Sequence, residues 1–281
     1  MKPARHLKVP NIPSLILLAF AAISCSPPSE SDLGNKLLGA EAAQQELDLK
    51  GMEKKIDSYL TSKGIGLFDK TEAGHPEEAQ FWGNDLPASQ KATGALYREL
   101  GQVMLKDFLN HQNSEVYKFL SLRDAHNNLQ AVAEFESLPY SNKKDVPALN
   151  DHVLLHIILA RPKDAKMYKM SYATPAQQEK IGTVAPKIPY AGAFLMYKVF
   201  QTNVGDRRHY MTMTLHPENS ALAEHYYPKF GFVKSTEPPH WRFCCGHLWM
   251  SVTYREFVKR LAQIIDILDQ KSAKAQHSPD L

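Results

Sequence analysis

The sequence predicts a mixed α/β fold, with a mostly antiparallel central sheet flanked by helices and preceded by an N-terminal helical extension. Three observations point there. Apolar residues recur at steps of three and four near both ends of the chain, which is helical spacing. In the middle the period shortens to two around a cluster of turn-forming residues, the pattern of a β-hairpin. Beyond it Val153 to Leu159 is a dense apolar run, suited to a strand buried on both faces in the middle of a sheet.

Residues 1–24 read as a secretory signal, because Lys2, Arg5 and Lys8 form a basic start and Ile12 to Ile23 run almost wholly apolar. The run stops at Ser24-Cys25-Ser26-Pro27-Pro28, short of the ~20 apolar residues that a membrane span needs. Ala22-Ile23-Ser24-Cys25 resembles the lipobox of bacterial lipoproteins, with Ala22 where that family usually has Leu. The resemblance implies a lipid on Cys25, a periplasm-facing place in a bacterial cell envelope, and the membrane as a partner. Ordinary cleavage near Ser24, with Cys25 an incidental thiol, is the other reading. Residues 25–33, rich in Ser and Pro, read as the tether.

Residues 34–87 read as a helical extension and an irregular connection. Leu49, Met52, Ile56, Tyr59 and Leu60 mark an amphipathic helix within Gly34 to Leu60. Lys63 to Pro87 is rich in Gly, Pro and acidic residues, with Phe81-Trp82 as the point that would pin it to a core. The main domain reads as residues 88–281. It opens on a helix from Ala88 to about Leu109, whose stripe is Ala92, Leu96, Leu100, Val103, Met104 and Phe108. Val116 to Leu122 and Leu129 to Phe135 are strands joined through Asp124, Asn127 and Asn128. Arg161-Pro162 ends the Val153 strand, and a polar stretch runs from Lys163 to Pro189. Ala191 to Phe200 starts with small residues, as suits a helix packed closely on a sheet. Then come a strand at Tyr210 to Leu215, a short helix at Ser220 to Phe230 and a strand at Leu248 to Tyr254. A last helix carries Phe257, Leu261, Ile264, Ile265 and Leu268 on one stripe.

Composition excludes some classes of partner. With 33 Lys+Arg against 30 Asp+Glu, a formal charge of +3 and no basic block after the leader, nucleic acid is not expected. Three cysteines cannot make a disulfide framework. Cys244 and Cys245 are adjacent, either two thiols or a labile vicinal pair, and His240 and His247 beside them lack metal-ligand spacing, so no metal is expected.

The order of elements and the segment Leu215 to Phe232 resemble the GNAT family, the acyl-CoA-dependent N-acetyltransferases. In that family a strand leads into Asn, then Ala, then a Tyr-x-Lys-hydrophobic-Gly-Phe ending. Tyr227-Pro228-Lys229-Phe230-Gly231-Phe232 reproduces the ending, and Asn219 is displaced by one residue. The hairpin Val116 to Phe135 is similar to the family's second and third strands, and Val153 to Leu159 to its fourth. The resemblance covers Ala88 to Tyr254. It implies acetyl-CoA or another acyl-CoA as co-substrate and a small-molecule or peptide amine as acceptor.

The family's cofactor signature, Q/R-x-x-G-x-G/A, has its counterpart in Lys187-Ile188-Pro189-Tyr190-Ala191-Gly192. Lys187 replaces Gln or Arg, and Tyr190 occupies the first glycine position, where a side chain would intrude on the close approach that glycine permits. The resemblance implies cofactor contacts at Lys187, at Ala191, Gly192 and Ala193 through N–H groups opening a helix, and at Asn219. The stretch from Ala160 to Pro189 is longer than the family's tight loop and reads as a substrate lid.

Attack of a neutral amine on a thioester needs a base, a donor to the oxyanion and an acid for the leaving thiolate. Backbone N–H near Leu159 and Ala160 falls at the oxyanion. Candidate bases are His156 and Glu134, with Glu136 in reserve; His156 also reads as a hydrogen-bonded core histidine and Glu134 as a solvated strand residue. The resemblance places the tyrosine that meets the departing sulfur at Tyr227 when matched on Gly231-Phe232, and at Tyr226 when counted from Asn219. Adjacent helical positions point about 100° apart, so only one hydroxyl can serve, and either ring also suits packing on the sheet. Acyl-CoA is cytoplasmic and an envelope lipoprotein faces away from it. Two further readings therefore stand beside the acyltransferase: the same fold binding a ligand or partner without catalysis, and an unrelated envelope lipoprotein of structural role. A sheet lacking a splayed pair of central strands would favour the last.

Overall fold

The structure, a computed structural model, describes residues 30–65, 67–70, 74–111, 114, 117–138, 152–163, 165–166, 187–203, 212–215, 221–235 and 249–276. The leader, Cys25, Asn219 and the Cys244-Cys245 pair with His240 and His247 lie outside them. The chain divides into two compact units, Met1–Glu46 and Leu47–Leu281. The described part of the first is the opening of helix α1, Glu30–Ser62. Residues 30–33, read as tether, are thus helical: past Pro28, Glu30-Ser31-Asp32 is chemistry that starts a helix.

The second unit holds a seven-stranded sheet in the order β1-β2-β3-β4-β5-β7-β6. Its strands are β1 (Leu67–Lys70), β2 (Tyr117–Arg123), β3 (Leu129–Leu138), β4 (His152–Ala160), β5 (Thr212–Leu215), β6 (Val233–Ser235) and β7 (Trp249–Thr253). Every neighbouring pair is antiparallel except β4 and β5, which are parallel. The helices are α2 (Gly74–Phe81), α3 (Lys91–Asn110), α4 (Ala191–Asn203) and α5 (Tyr254–Gln276). This is the mixed, mostly antiparallel sheet flanked by helices that the sequence predicts. Among the described residues no helix is long and apolar enough to cross a membrane.

Alternation along β3 sends its residues to two cores. Ala131, Ala133 and Phe135 join Leu49 and Ile56 of α1, Phe194 and Phe200 of α4, and Phe257 and Leu261 of α5. Polar ties close that layer: Tyr254 Oη donates to Glu53 Oε1 at 2.6 Å, Lys198 Nζ to Asp57 Oδ1 at 2.8 Å, and Lys55 pairs with Asp266. Leu129 and Val132 face the other way, onto Ala79 and Trp82 of the α2 region and Met104 of α3. There α2 and α3 meet backbone to backbone. A Cβ on Gly94 would lie 2.5 Å from the Gly83 oxygen and one on Gly101 2.6 Å from Gln80 Cα, so neither position has room for a side chain.

The connection expected to be irregular therefore carries β1 and α2. Leu67 to Lys70 pair with Arg123 to Leu120 and add an edge to the hairpin, so the sheet begins before residue 88. A four-residue edge strand is too short to show a period, and the surrounding Gly and Pro dominate the local signal. Trp82 does anchor this region, fully buried beneath the Arg161 guanidinium, whose Cζ is 6.0 Å from the ring centre. Arg161 is itself buried, donating to the Leu129 and Ala165 carbonyls at 2.9 Å each, with the buried Glu78 carboxylate 3.8 Å away to balance the charge where β4 ends.

Candidate functional site

β4 is the middle strand, and it loses one neighbour halfway along. His152 to Leu155 register with Thr212 to Leu215, where β5 ends, while β4 continues to Ala160. From Ile157 to Ala160 the main chain on the β5 side has no strand partner among the described residues. On the other side β3 stays paired as far as Ala160. There the register shifts: Glu134 faces Ile157 and Phe135 faces Leu155, so His156 is the extra residue of a bulge. The bulge reverses the alternation. Val153 and Leu155 pack toward α4, as do Ile158 and Ala160 after the bulge, while Ile157 and Leu159 turn to α3.

A cleft of about 760 Å³ fills the wedge where the strands part. It reaches both faces of the sheet, touching Tyr97 and Leu100 of α3, residues 155–160 of β4, Tyr190 to Gly192 at the start of α4, Leu215 of β5, and Tyr226. The start of α4 closes one end. Its first-turn N–H groups have no intrahelical acceptor. A Cβ on Gly192 would lie 3.5 Å from both Ala160 Cβ and Tyr226 Oη, so the end of β4, the start of α4 and a tyrosine hydroxyl converge at one point.

The loop before α4 is held from the hairpin. Gln130 Oε1 accepts from the Ile188 N–H at 3.1 Å, and Gln130 Nε2 donates to Asp124 Oδ2 at 3.0 Å. Asp124 also accepts from the Asn128 side chain and from the backbone N–H groups of His126 and Asn128, each at 2.9 Å. Asp124 and Asn128 read in the sequence as turn chemistry alone. Gln130 was missed; its only signal is an amide within an apolar strand. Tyr190, in the first glycine position, has φ 58°, the left-handed region that glycine favours. Its ring lies edge-on to Phe230 with centroids 6.0 Å apart.

The helix expected at Ser220 to Phe230 is a π turn over Leu222–Tyr226 followed by a 3₁₀ turn over Tyr227–Phe230. Tyr226 and Tyr227 both line the cleft, in different settings. Tyr227 is 6% exposed, its ring edge-on to Phe232 in the core. Tyr226 is the one whose hydroxyl meets Gly192. Burial raises its pKa above the ordinary phenol value, and the neighbouring Tyr227, Tyr190 and Tyr97 add to the shift, so it holds its proton. Tyr97 Oη donates to the Ala160 carbonyl at 2.7 Å, and burial pushes its pKa up to about 12.

His156 lines the cleft with Nε2 3.1 Å from Glu136 Oε1, and its ring stacks on Tyr117, which stacks on His111. Glu136 is buried below it. The structure thus brings His156, Leu159, Ala160, Lys187, Ala191, Gly192, Tyr226 and Tyr227 to one cleft. Glu134, 2% exposed, and Ala193, fully buried, are not part of its lining. Among the described residues no group of three or more His, Cys, Asp or Glu is placed to hold a metal ion.

No family model matches the chain. No curated protein matches it. Solved structures do. A dodecameric spermidine N-acetyltransferase from Vibrio cholerae is 14% identical, with 70% of this chain and 98% of that one covered and a TM-score of 0.37. The PaiA N-acetyltransferase from Thermoplasma acidophilum in complex with coenzyme A is 12% identical, covering 67% and 98%, at 0.34. A histone acetyltransferase HPA2 and related acetyltransferase from Corynebacterium glutamicum is 15% identical, covering 66% and 93%, at 0.32. Such likenesses concern the fold alone, and the chemistry of the site has to come from its own residues.

Proposed function

We propose that the cleft binds an acyl-CoA and that the chain transfers the acyl group to an amine. The observation that carries this is the parting of β4 from β5. It leaves a stretch of strand main chain facing a cleft that ends at a helix N-terminus. An extended, amide-containing arm can add to such an edge as a strand would, and the phosphates at its far end suit the opening of α4 at Gly192, with Lys187 and Lys163 also lining the cleft. Tyr190 fits this use, because its left-handed backbone reproduces what glycine would do and its ring rests on Phe230.

In this reading His156 is the base, with the Glu136 carboxylate 3.1 Å from its Nε2 to stabilise the imidazolium that forms. It takes the amine proton as nitrogen bonds to the thioester carbon. Main-chain N–H groups near Leu159 and Ala160 stabilise the oxyanion. The carbon–sulfur bond then breaks and the amide leaves. Tyr226, kept protonated until then, gives its hydroxyl proton to the departing sulfur, which becomes the thiol, and the proton held by His156 returns to Tyr226 through solvent. Glu134 has no part in this scheme, and Tyr227 supports the core beside it.

Thermal melts of the purified full-length protein test the binding step. Coenzyme A at a hundredfold its dissociation constant should add about 2.7 kcal/mol, and an unmoved melting temperature at millimolar coenzyme A would sink the reading. The second reading, the same fold binding another ligand or a partner without catalysis, predicts a site left empty by coenzyme A; acetyl transfer to any of a panel of amines rules it out. The export signal and the lipid on Cys25 remain part of the proposal on sequence grounds. A Cys25→Ala protein that is still processed and still membrane-bound would remove the lipid.

A further inference from the structure

We infer that the acyl group this cleft accepts is a long apolar chain, lying between α3 and the second half of β4. The inference rests on the acyl-CoA reading and adds the substrate class. Ile157 and Leu159 point to α3 because the bulge at His156 turned them there, and Leu100 of α3 packs on the cluster they form. Leu96, one turn earlier, also lines the cleft. The far side is Leu215 and Leu222, so the wedge beyond the start of α4 is walled by aliphatic side chains.

The charge pattern matches the same ligand. Among the described residues the lining contains Lys163 and Lys187, both exposed, and no Asp or Glu. A polycationic substrate would need carboxylates in the wall. An anionic head with an apolar tail finds both of its partners in one cleft: cations and the opening of α4, and a wall of aliphatic residues. Leu96, Leu100 and Leu222 are only half-buried, so an acetyl group would leave them as they are, whereas a longer chain covers them.

Calorimetric titration of the full-length protein with coenzyme A, acetyl-CoA and decanoyl-CoA decides it. Decanoyl-CoA should bind at least tenfold more tightly than acetyl-CoA, since each buried methylene tightens binding about fourfold. Leu100→Glu should erase that difference and leave coenzyme A binding in place; Leu96→Trp, which fills the groove without adding charge, should shorten the preferred chain if the first variant fails to fold. Equal affinity for acetyl-CoA and decanoyl-CoA overturns the inference and leaves the acyl-CoA reading standing. So does a decanoyl preference that persists unchanged in a folded variant. Failure of all three ligands to bind overturns both.

Discussion

The first half of β4, His152 to Leu155, and the second, His156 to Ala160, are alike in apolar sequence and unlike in surroundings. The first is paired on both edges, to β3 and to β5, and its Val153 and Leu155 are almost wholly buried. The second keeps β3 and has no registered partner in β5 from Ile157 on; Ile157 and Leu159 stay buried toward α3, while Ile158 and Ala160 are half-buried beside the cleft. In the first half apolar side chains are core, with Leu155 alone reaching the cleft. In the second half every residue borders it. The boundary between them is the bulge at His156, which also delivers an imidazole to the cleft.

The largest effect expected from this contrast is on the rate of acyl transfer. Tyr226→Phe should lower it by about 10²- to 10⁴-fold with coenzyme A binding retained, the usual scale for losing a proton-handling group, and Tyr227→Phe should change it little. Steady-state rates for the two variants check this, and a fully active Tyr226→Phe protein takes Tyr226 out of the mechanism. On the paired side Met213→Ala, opposite Val153 in β5, should cost about 2–5 kcal/mol of stability in a denaturant titration. A loss as large from Ile158→Ala would erase the distinction between the halves, because Ile158 is only half-buried and borders the cleft. The smallest stability effect is at Tyr190→Gly. Release of the left-handed backbone gains about 1–2 kcal/mol and loss of the ring contact with Phe230 gives back about 0.5–1.5 kcal/mol. The melting temperature should barely move while coenzyme A binds more tightly; weaker binding would mean that the ring belongs to the site.

The hairpin was legible because Asp124, Asn127 and Asn128 interrupt two alternating runs, and β4 because its apolar run is dense. Gly83 gave no hint that α2 lies against α3, since glycine in a connection reads first as a break, and Gly94 and Gly101 fall within a stretch that reads simply as one helix. The contact between His156 and Glu136 was hidden by the bulge, which changes which residues share a face and has no signature in composition. The tyrosine ambiguity has a similar cause. A π turn holds one more residue than an α turn, and the one-residue displacement of Asn219 against Gly231-Phe232 is the size of that excess. Counting on a straight helix therefore gives two answers.

Gln130 has one further consequence. Both ends of its side-chain amide are taken, one by Asp124 and one by the Ile188 N–H, and its own carbonyl accepts from Arg161 N–H at 2.8 Å. The loop before α4 therefore opens only if a buried residue of the central hairpin releases it. In hydrogen exchange the Ile188 amide should behave as part of the sheet's cooperative unit, exchanging with β3 and β4 and not with its exposed neighbour Lys187.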